Sequence, residues 1–294
     1  MFFGGVLMKI STEIYSTARI VGLEKAVELC GKAGFDAWDF SMFDMCRIDW
    51  STKTPLDIPN ELNGPRYLEF ARKLKRIGLE NGMVCNQSHA PFPVTVPAVR
   101  SYLKRAIECT AEAGGEICII HPDNDKTPEE NAEMYAELLP FAKGCGVKIA
   151  TENMWNWDSE KNESSFAACA TGESFKKHID VINDDFFVAC LDLGHAEMRG
   201  SGDGAANMIK ALGHRLKALH IHDNNRLNDD HQIPFSMNID FAEIVKALKE
   251  MNYEGYFTLE ADAFLKDYNE ENVFEGVLKL KESARKLADM FEQL

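Results

Sequence analysis

Apolar and polar positions along this chain follow two alternating periods. Short runs rich in Val, Ile, Leu and Phe are followed by longer segments in which apolar residues recur every three or four positions. The strand-like runs fall at residues 9–15, 35–40, 83–88, 116–120, 147–151, 186–191, 218–224 and 256–259. The helix-like segments fall at residues 23–33, 67–80, 97–113, 128–143, 172–182, 203–212, 239–251 and 271–294.

This regular succession predicts one closed barrel. Eight strand–helix units follow one another without a linker, a low-complexity tract or a shift in composition. Successive βα units place parallel strands side by side with right-handed connections, and eight of them close into a (β/α)8 barrel of about 250 residues. We therefore expect a single TIM-barrel domain over residues 1–294.

Two connections are much longer than the others. The first covers residues 41–65 and contains Trp50, and the second follows the predicted fifth strand and contains Trp155 and Trp157. Connections in compact domains usually have about 4 to 6 residues, and long ordered loops often serve a binding site. We expect these loops to form a wall or lid over one end of the barrel.

The charge of the chain restricts its partners. It carries 32 Lys and Arg against 47 Asp and Glu, which gives a formal net charge of −15. Affinity for nucleic acid comes largely from Lys and Arg, and an acidic surface is repelled by anionic membranes. We therefore expect neither nucleic acid nor a membrane among the partners of this protein.

Cysteine use and the amino terminus both favour a cytoplasmic protein. The eight cysteines form no CxxC pair and several lie in apolar runs, which is typical of reduced, buried thiols. The apolar stretch over residues 1–7 is short and lacks a basic start and a cleavage site, so neither a secretion signal nor a membrane span is predicted. The oligomeric state stays open, and a homo-oligomer is one outcome.

Residues that can bind a metal ion stand at the ends of six successive predicted strands. They are His89, His121, Glu152, Asp192, His220 and Glu260. The carboxyl ends of barrel strands meet at one rim, where barrel active sites are built. Any one of these side chains would more often be a cap or a hydrogen-bonded core group. Together, however, their oxygens and imidazole nitrogens are the ligands of a divalent metal ion.

Such a site can move a proton next to a carbonyl group. A metal ion on a ketone oxygen and the neighbouring hydroxyl stabilises the enediolate that forms when a carboxylate removes the proton between them. A second carboxylate can return a proton to the same carbon or to its neighbour, which gives epimerisation or isomerisation. No glycine-rich phosphate loop separates the seventh and eighth predicted strands. This favours an unphosphorylated sugar, polyol or keto acid as the substrate.

Short motifs at these strand ends carry a family resemblance. They are His89-Ala-Pro-Phe, His121-Pro, Glu152-Asn, Leu191-Asp-Leu-Gly-His195, His220-Ile-His-Asp223, Asp229-Asp-His231 and Leu259-Glu260. In this order they resemble the xylose-isomerase-like TIM barrel superfamily, over nearly the whole chain. The most similar branch is the sugar phosphate isomerase/epimerase family, which is related to ketose 3-epimerases, inosose isomerases and endonuclease IV.

The resemblance implies one divalent ion, manganese, magnesium, cobalt or zinc. Its implied ligands are Glu152, Asp192, His220 and Glu260. In the epimerase relatives the two corresponding glutamates lie on opposite faces of the bound sugar and move the proton, which implies these roles for Glu152 and Glu260. Substrate contacts are expected from His89, His121, His195, Arg226 and Trp155. The roles of His222, Asp229 and His231 stay open.

Two other functions stay open as well. Five residues match further ligand positions in the trinuclear zinc cluster of endonuclease IV, which implies additional zinc and phosphoester cleavage; they are His89, His121, His195, Asp229 and His231. The acidic charge disfavours this interpretation, because a duplex-binding enzyme needs a basic stripe. The third interpretation is a non-catalytic barrel that binds a sugar or a metal. The sequence does not choose among epimerisation, isomerisation and dehydration.

Overall fold

The computed structural model describes residues 7–294, which form a closed barrel of eight parallel strands. We number the barrel strands first to eighth along the chain. They span Ile10–Glu13, Ala37–Ser41, Val84–His89, Ile117–Ile119, Lys148–Glu152, Phe187–Asp192, Leu216–His220 and Phe257–Leu259. From the second to the seventh, each strand pairs in parallel with the one before it, and the first strand also pairs with the eighth. The predicted (β/α)8 TIM barrel is confirmed.

The barrel closes between the seventh and eighth strands, just beyond the end of the seventh. Ile221 forms a parallel bridge with Leu259, and its N–H donates to the carbonyl of Thr258 at 2.9 Å. The N–H of Glu260 in turn donates to the carbonyl of Ile221 at 3.0 Å. This closure places His220 and Glu260 on adjacent strand ends, although a whole helix and its loops separate them in the sequence.

Helices cover the outside of the barrel. The described residues contain α-helices at Tyr15–Val21, Leu23–Ala33, Tyr67–Glu80, Pro97–Ala113, Pro128–Cys145, Gly172–Asp180, Leu193–Glu197, Ala205–Leu212, Phe241–Glu250 and Val273–Glu292. All eight predicted helices are present within a few residues of their expected bounds. The sequence pattern missed Tyr15–Val21 and Leu193–Glu197, because helices of seven and five residues are too short to show a clear period.

The barrel has an apolar interior layer directly below its polar rim. Side chains along a strand alternate between the two faces, so residues two apart point to the same side. The buried cluster inside the barrel consists of Ile119, Ala150, Val188, Cys190 and Ala218. Ala150, Cys190 and Ala218 each stand two positions before a predicted metal ligand, so those ligands also point inward and lie one layer above the cluster.

The two long loops each contain a small antiparallel hairpin. In the first loop, Ile48–Asp49 pairs with Thr54–Pro55, and in the second, Asn156–Asp158 pairs with Glu163–Ser165. Both loops follow strand ends on the side of the barrel that carries the predicted ligands. They are ordered segments and not structureless linkers.

All eight cysteines are free, and seven of them are buried. Within residues 7–294, no helix combines the length and apolarity that a membrane crossing requires. Residues 1–6 lie outside the described part of the chain, and with them most of the amino-terminal stretch considered above.

A candidate metal centre at the carboxyl ends of the strands

The barrel brings the four predicted metal ligands together at its rim. Glu152, Asp192 and His220 are the last residues of the fifth, sixth and seventh strands, and Glu260 directly follows the eighth. One ligand atom from each of the four lies within 4.8 Å of the others. All four side chains are buried, with Glu260 the most exposed at 6%. Three carboxylates and an imidazole therefore share one small volume.

One nitrogen of His220 faces both predicted catalytic glutamates. Its Nδ1 lies 3.2 Å from Oε1 of Glu152 and 3.3 Å from Oε2 of Glu260. Adjacent parallel strands are about 4.8 Å apart, so ligands from the fifth and eighth strands can meet only across the interior of the barrel. The imidazole of the seventh strand occupies the point where they meet.

The other nitrogen of His220 is held by a residue that the sequence did not indicate. Its Nε2 lies 3.2 Å from Oδ2 of Asp39, on the second strand, and both side chains are fully buried. Oδ2 of Asp39 also accepts a hydrogen bond from Nε2 of Gln87 at 2.8 Å. A carboxylate on the far side of a ligating histidine fixes the ring orientation and its tautomer. Asp39 can fill this role for His220.

The surrounding side chains displace the pKa values of the two glutamates in opposite directions. Burial by itself raises the pKa of Glu152, but the positive charge of His220 and contacts from His121 and His220 outweigh it and hold the pKa well below its usual value. Burial raises the pKa of Glu260 well above its usual value, and the negative charge of Glu152 adds to this against the opposing charge of His220. Paired carboxyl groups whose pKa values are pushed apart are suited to the roles of base and acid.

His89 and His121 extend the site on the side of the third and fourth strands. Nδ1 of His89 donates to the carbonyl of Ala90 at 2.8 Å, and its Nε2 lies 2.9 Å from Nε2 of His121. Burial and the neighbouring His121 hold the pKa of His89 well below its usual value, so its ring is neutral. Nε2 of His121 must then be the donor. The same His121 nitrogen lies 3.4 Å from Oε2 of Glu152.

A second group of imidazoles surrounds Asp229 on the opposite side of the site. Oδ2 of Asp229 lies 3.2 Å from Nε2 of His195 and 3.1 Å from Nε2 of His231. Nε2 of His222 lies 3.1 Å from Oδ1 of Asp192 and 3.5 Å from Oδ1 of Asp229. One ligand atom from each of His195, His222, Asp229 and His231 falls within 4.8 Å of the others.

The charges of this second group are strongly coupled. Burial lowers the pKa of His195, but Asp192 and Asp229 raise it to about 10. Burial raises the pKa of Asp192, but His195 and His222 lower it to about 2. Asp229 is likewise held ionised, because His195 and His231 outweigh its burial and keep its pKa well below the usual value. The group is therefore a set of ion pairs in a buried setting.

The oxygens of the four-residue cluster fit a cation. Among the described residues, Oε2 of Glu152 and Oδ2 of Asp192 are the two oxygens of this cluster that are buried without a hydrogen-bond donor; outside the cluster, Oδ1 of Asp39 and Oδ1 of Asp229 also lack one. Buried carboxylate oxygens are otherwise almost always hydrogen-bonded, because leaving one unsatisfied costs free energy. Both oxygens belong to side chains of the cluster, and a hard or borderline divalent cation accepts this set of three carboxylates and one imidazole. The predicted ligand set is thus suited to a metal ion.

The cluster opens into a cavity of about 470 Å³ at the rim of the barrel. Most of the predicted site residues line it, namely His89, His121, Glu152, Trp155, His195 and Glu260, together with Asp229 and His231. Nε1 of Trp155 donates to Oδ2 of Asp229 at 3.3 Å. A concave site with apolar walls and a few convergent polar groups at its floor is typical of a small-molecule pocket.

The structure does not bring Arg226 into this cavity. Its backbone has a φ of +66°, and its Nη2 pairs with Oε2 of Glu197 at 2.9 Å. The predicted substrate contact of Arg226 therefore has no geometric support in this arrangement. Trp157 does not line the cavity either: its ring packs edge-on against that of Trp155, with 6.4 Å between the centroids, and it is 43% exposed. Of the two tryptophans in the second long loop, only Trp155 faces the site.

Comparison with known proteins places the chain in a family. The model of the xylose isomerase-like TIM barrel family matches residues 27–290. The chain belongs to this family. An L-ribulose 3-epimerase of a Methylomonas species (strain DH-1) is 24% identical over 250 residues, which are 82% of this chain and 78% of that protein.

A second relative is less well covered. An uncharacterised protein of Methanocaldococcus jannaschii is 27% identical over 190 residues, 58% of this chain. The match spans 62% of that relative, less than two thirds of its length.

Two solved structures share the fold of this family member. A D-tagatose 3-epimerase-like protein superposes with a TM-score of 0.72 at 20% identity, covering 97% of this chain and 99% of that one. The IolI protein, solved with a bound zinc atom, also has a TM-score of 0.72, at 18% identity and the same coverage. At these identities the likeness establishes the barrel fold and does not by itself transfer an activity.

Proposed function

We propose that this protein is a divalent-metal-dependent isomerase or epimerase of a sugar or a related polyol. The observation that carries the proposal is the pair of buried glutamates on either side of His220, whose carboxylate oxygens lie 3.2 and 3.3 Å from one nitrogen of its ring. Two carboxyl groups at one site can act as the base and the acid of a two-step proton transfer. The names of the relatives, L-ribulose 3-epimerase and D-tagatose 3-epimerase-like protein, agree with this chemistry.

The residues of the site would have different roles in this reaction. Glu152, Asp192, His220 and Glu260 would hold the ion. When bound, a divalent metal supplies Lewis acidity that stabilises negative charge developing on two vicinal substrate oxygens. Glu152 would remove the proton from the hydroxyl-bearing carbon next to the carbonyl group, and Glu260, once it carries a proton, would return it to the sugar. Return to the opposite face of the same carbon inverts it, whereas return to the neighbouring carbon isomerises the sugar.

The surrounding side chains orient the sugar and exclude water. His121 presents a nitrogen beside Glu152, and His195 and His231 present nitrogens beside Asp229, all within the cavity wall. These polar groups can bind sugar hydroxyls. Trp155 supplies an apolar surface next to them, which suits the C–H face of a sugar ring.

Deuterium exchange tests the proposal directly. The purified protein, with the metal it carries, is incubated with a panel of ketoses in deuterated water, and deuterium at carbon is measured by NMR. We expect exchange in at least one ketose. Glu152→Gln should abolish exchange, whereas Glu260→Gln should stop conversion but retain exchange of the proton that Glu152 removes. Each loss should be about 100-fold or more, the usual contribution of a general acid or base.

A control variant distinguishes the loss of a catalytic group from the general effect of removing one carboxylate from the protein. Glu137→Gln removes one carboxylate from an exposed position of the helix Pro128–Cys145 that does not line the cavity. It should leave exchange unchanged. Metal content is measured for every variant, so that loss of the ion is not mistaken for loss of the base. Full turnover in either glutamate variant would contradict the assigned roles.

A second candidate function is favoured by the remaining imidazoles. His89, His121 and Glu152 form one further group with ligand atoms within 4.8 Å of one another, and His195, His222, Asp229 and His231 form another. Imidazole-rich groups suit zinc, and several zinc ions side by side are typical of phosphoester hydrolysis. This would make the protein a multinuclear zinc phosphoesterase, although its net charge of −15 disfavours a nucleic-acid substrate.

The number of metal ions per chain distinguishes the two candidates. Elemental analysis is done on protein purified without added metal or chelator. One manganese, cobalt, magnesium or zinc ion per chain supports the isomerase or epimerase. Two or three zinc ions, together with cleavage of an abasic duplex, would support the phosphoesterase instead. A protein that binds a ketose with its metal but never exchanges a proton would be the non-catalytic barrel.

A further inference from the structure

An aromatic wall leads from the metal centre to the outer end of the cavity. The ring of Phe92 lies 5.0 Å from that of His121 and 5.1 Å from that of Phe43, measured between centroids. On its outer side, Phe92 lies 6.1 Å from the ring of Trp50. Trp50 is therefore separated from His121 by one complete ring. A sugar unit held at the metal centre would reach Phe92, and Trp50 lies beyond it.

The first long loop holds Trp50 in this outer position. Trp50 is in the turn of the hairpin between Ile48–Asp49 and Thr54–Pro55, and Oδ1 of Asp49 accepts hydrogen bonds from N and Oγ of Ser51 at 2.8 and 2.6 Å. Trp50 lines the cavity and yet is 57% exposed. A large apolar side chain that is fixed at a cavity mouth, and left uncovered there, offers a surface to a ligand.

Lys53 completes this outer part of the cavity. Its Nζ lies 4.5 Å from the centroid of the Trp50 ring, a cation–π distance. Its backbone φ is +55°, a left-handed conformation that costs free energy in a residue other than glycine. The turn therefore holds a hydrogen-bond donor beside the exposed indole at some cost in strain.

Carboxylates outnumber cationic side chains in the lining of the cavity, which disfavours an anionic group on the ligand. Among the described residues that line the cavity, Lys53 is the only Lys or Arg. Carboxylates of the lining include Asp123, Asp125 and Asp262, in addition to those of the metal centre. A phosphate or carboxylate on the ligand would meet this excess of negative charge. The hydroxyl groups of a neutral ligand can instead bind these carboxylates and Lys53.

We propose that Trp50, Phe92 and Lys53 form an outer subsite for the second, uncharged sugar unit of a glycoside. The inference rests on the proposed function, in which the reacting keto-sugar unit occupies the metal centre. The apolar face of the outer unit packs on the aromatic wall, and its hydroxyl groups bind Lys53 and the surrounding polar side chains. The protein then prefers a glycosylated ketose to the free monosaccharide.

Linkage isomers of glucosyl-fructose test this subsite. Trehalulose, turanose, maltulose, leucrose and palatinose join glucose to each of the five available positions of D-fructose. Their binding to the metal-loaded protein is measured by calorimetry beside that of D-fructose. At least one isomer should bind about tenfold more tightly than D-fructose, as expected for one added aromatic contact. In Trp50→Ala the ratio of the two affinities should fall to near one.

Trp157→Ala is the matched control. Trp157 is another exposed tryptophan in a rim hairpin, but it does not line the cavity. Its removal should leave the affinity ratio unchanged. The proposal is overturned when no isomer binds more tightly than D-fructose, or when Trp50→Ala weakens D-fructose and the disaccharides equally, which would make Trp50 a lid over the reacting unit.

Measuring deuterium incorporation distinguishes a failure of the outer subsite from a failure of the proposed function. Deuterium incorporation into D-fructose without any preference for a disaccharide would refute the outer subsite alone. A preference that depends on Trp50, without deuterium incorporation into any ketose, would support the subsite and refute the isomerase or epimerase.

Discussion

Asp39 and His220 stand 181 positions apart in the chain and are joined by a contact of 3.2 Å between Oδ2 and Nε2. The contact occupies the edge of the imidazole opposite to the nitrogen that faces Glu152 and Glu260. Because the N–H of Nε2 can donate a hydrogen bond to Asp39, Nδ1 is the nitrogen left to bind a metal. The second strand therefore contributes to the candidate metal centre without providing one of its predicted ligands.

Replacement of Asp39 should weaken metal binding. Removing such a supporting carboxylate typically costs 10- to 100-fold in metal affinity, so we expect about tenfold for Asp39→Asn and up to about a hundredfold for Asp39→Ala. The affinity is measured by competition with a chelating dye. Asp36→Asn is the control, because Asp36 also binds a neighbouring strand, through the N–H of Ile10 at 2.8 Å, but does not contact the cluster. Unchanged affinity in Asp39→Ala would show that His220 is oriented by other contacts.

The backbone of Gly194 lies directly against the imidazole ring of His222 and holds the ring in place. A Cβ atom at Gly194 would lie 1.9 Å from Cε1 of His222, far inside contact distance. Gly194→Ala must therefore displace the imidazole from Asp192, and overpacking of this kind costs about 1–3 kcal/mol in the free energy of unfolding. We expect lower stability and weaker binding of the metal, measured by urea unfolding and elemental analysis.

Gly144→Ala is the control for the Gly194→Ala variant. A Cβ atom added to Gly144, inside the helix Pro128–Cys145, would meet no other atom within 4 Å. Gly144→Ala should therefore stabilise the protein by about 0.5–1 kcal/mol. Equal stability of Gly194→Ala and the natural protein would mean that His222 can move without cost.

The barrel fold and the polar residues at its strand ends could be predicted from the sequence. The periods of 2 and 3.6 are local properties, and the eight strand–helix units follow from them together with the rules of chain connection. Glu152, Asp192, His220 and Glu260 could be grouped because parallel strand ends converge in a closed barrel. Their assignment as metal ligands remains a prediction that awaits the metal analysis.

Contacts that depend on the conformation of a loop, or on pairing between residues of distant strands, could not be predicted from the sequence. Asp39 is one of five successive buried residues in a strand, and nothing local marks it as the partner of a histidine on the seventh strand. The family resemblance implies a substrate contact for Arg226, but in the structure its backbone has a φ of +66° and its side chain pairs with Glu197. Loop residues follow no fixed period, so spacing alone does not give their direction.

Burial of Glu13 should make the stability of the protein depend on pH. Glu13 ends the first strand, is 2% exposed and accepts a hydrogen bond from the N–H of Ser16 at 3.0 Å. Burial and the nearby charge of Asp262 raise its pKa from 4.5 to about 7. The unfolded chain thus ionises at lower pH than the folded protein. The contribution of Glu13 is fully present below pH 4.5 and is lost as the pH rises through about 7.

Glu13→Gln should remove this dependence, because glutamine keeps an acceptor for Ser16 and carries no charge. The free energy of unfolding of the variant should exceed that of the natural protein by less than about 1 kcal/mol near pH 5 and by up to about 3 kcal/mol at pH 8, at about 1.4 kcal/mol for each pH unit of displacement. Urea unfolding of chelator-treated protein at both pH values measures the difference. Glu137→Gln, at an exposed position, should show no such change between the two pH values. The same stability difference at pH 5 and pH 8 would mean that Glu13 ionises in the folded protein at its ordinary pKa.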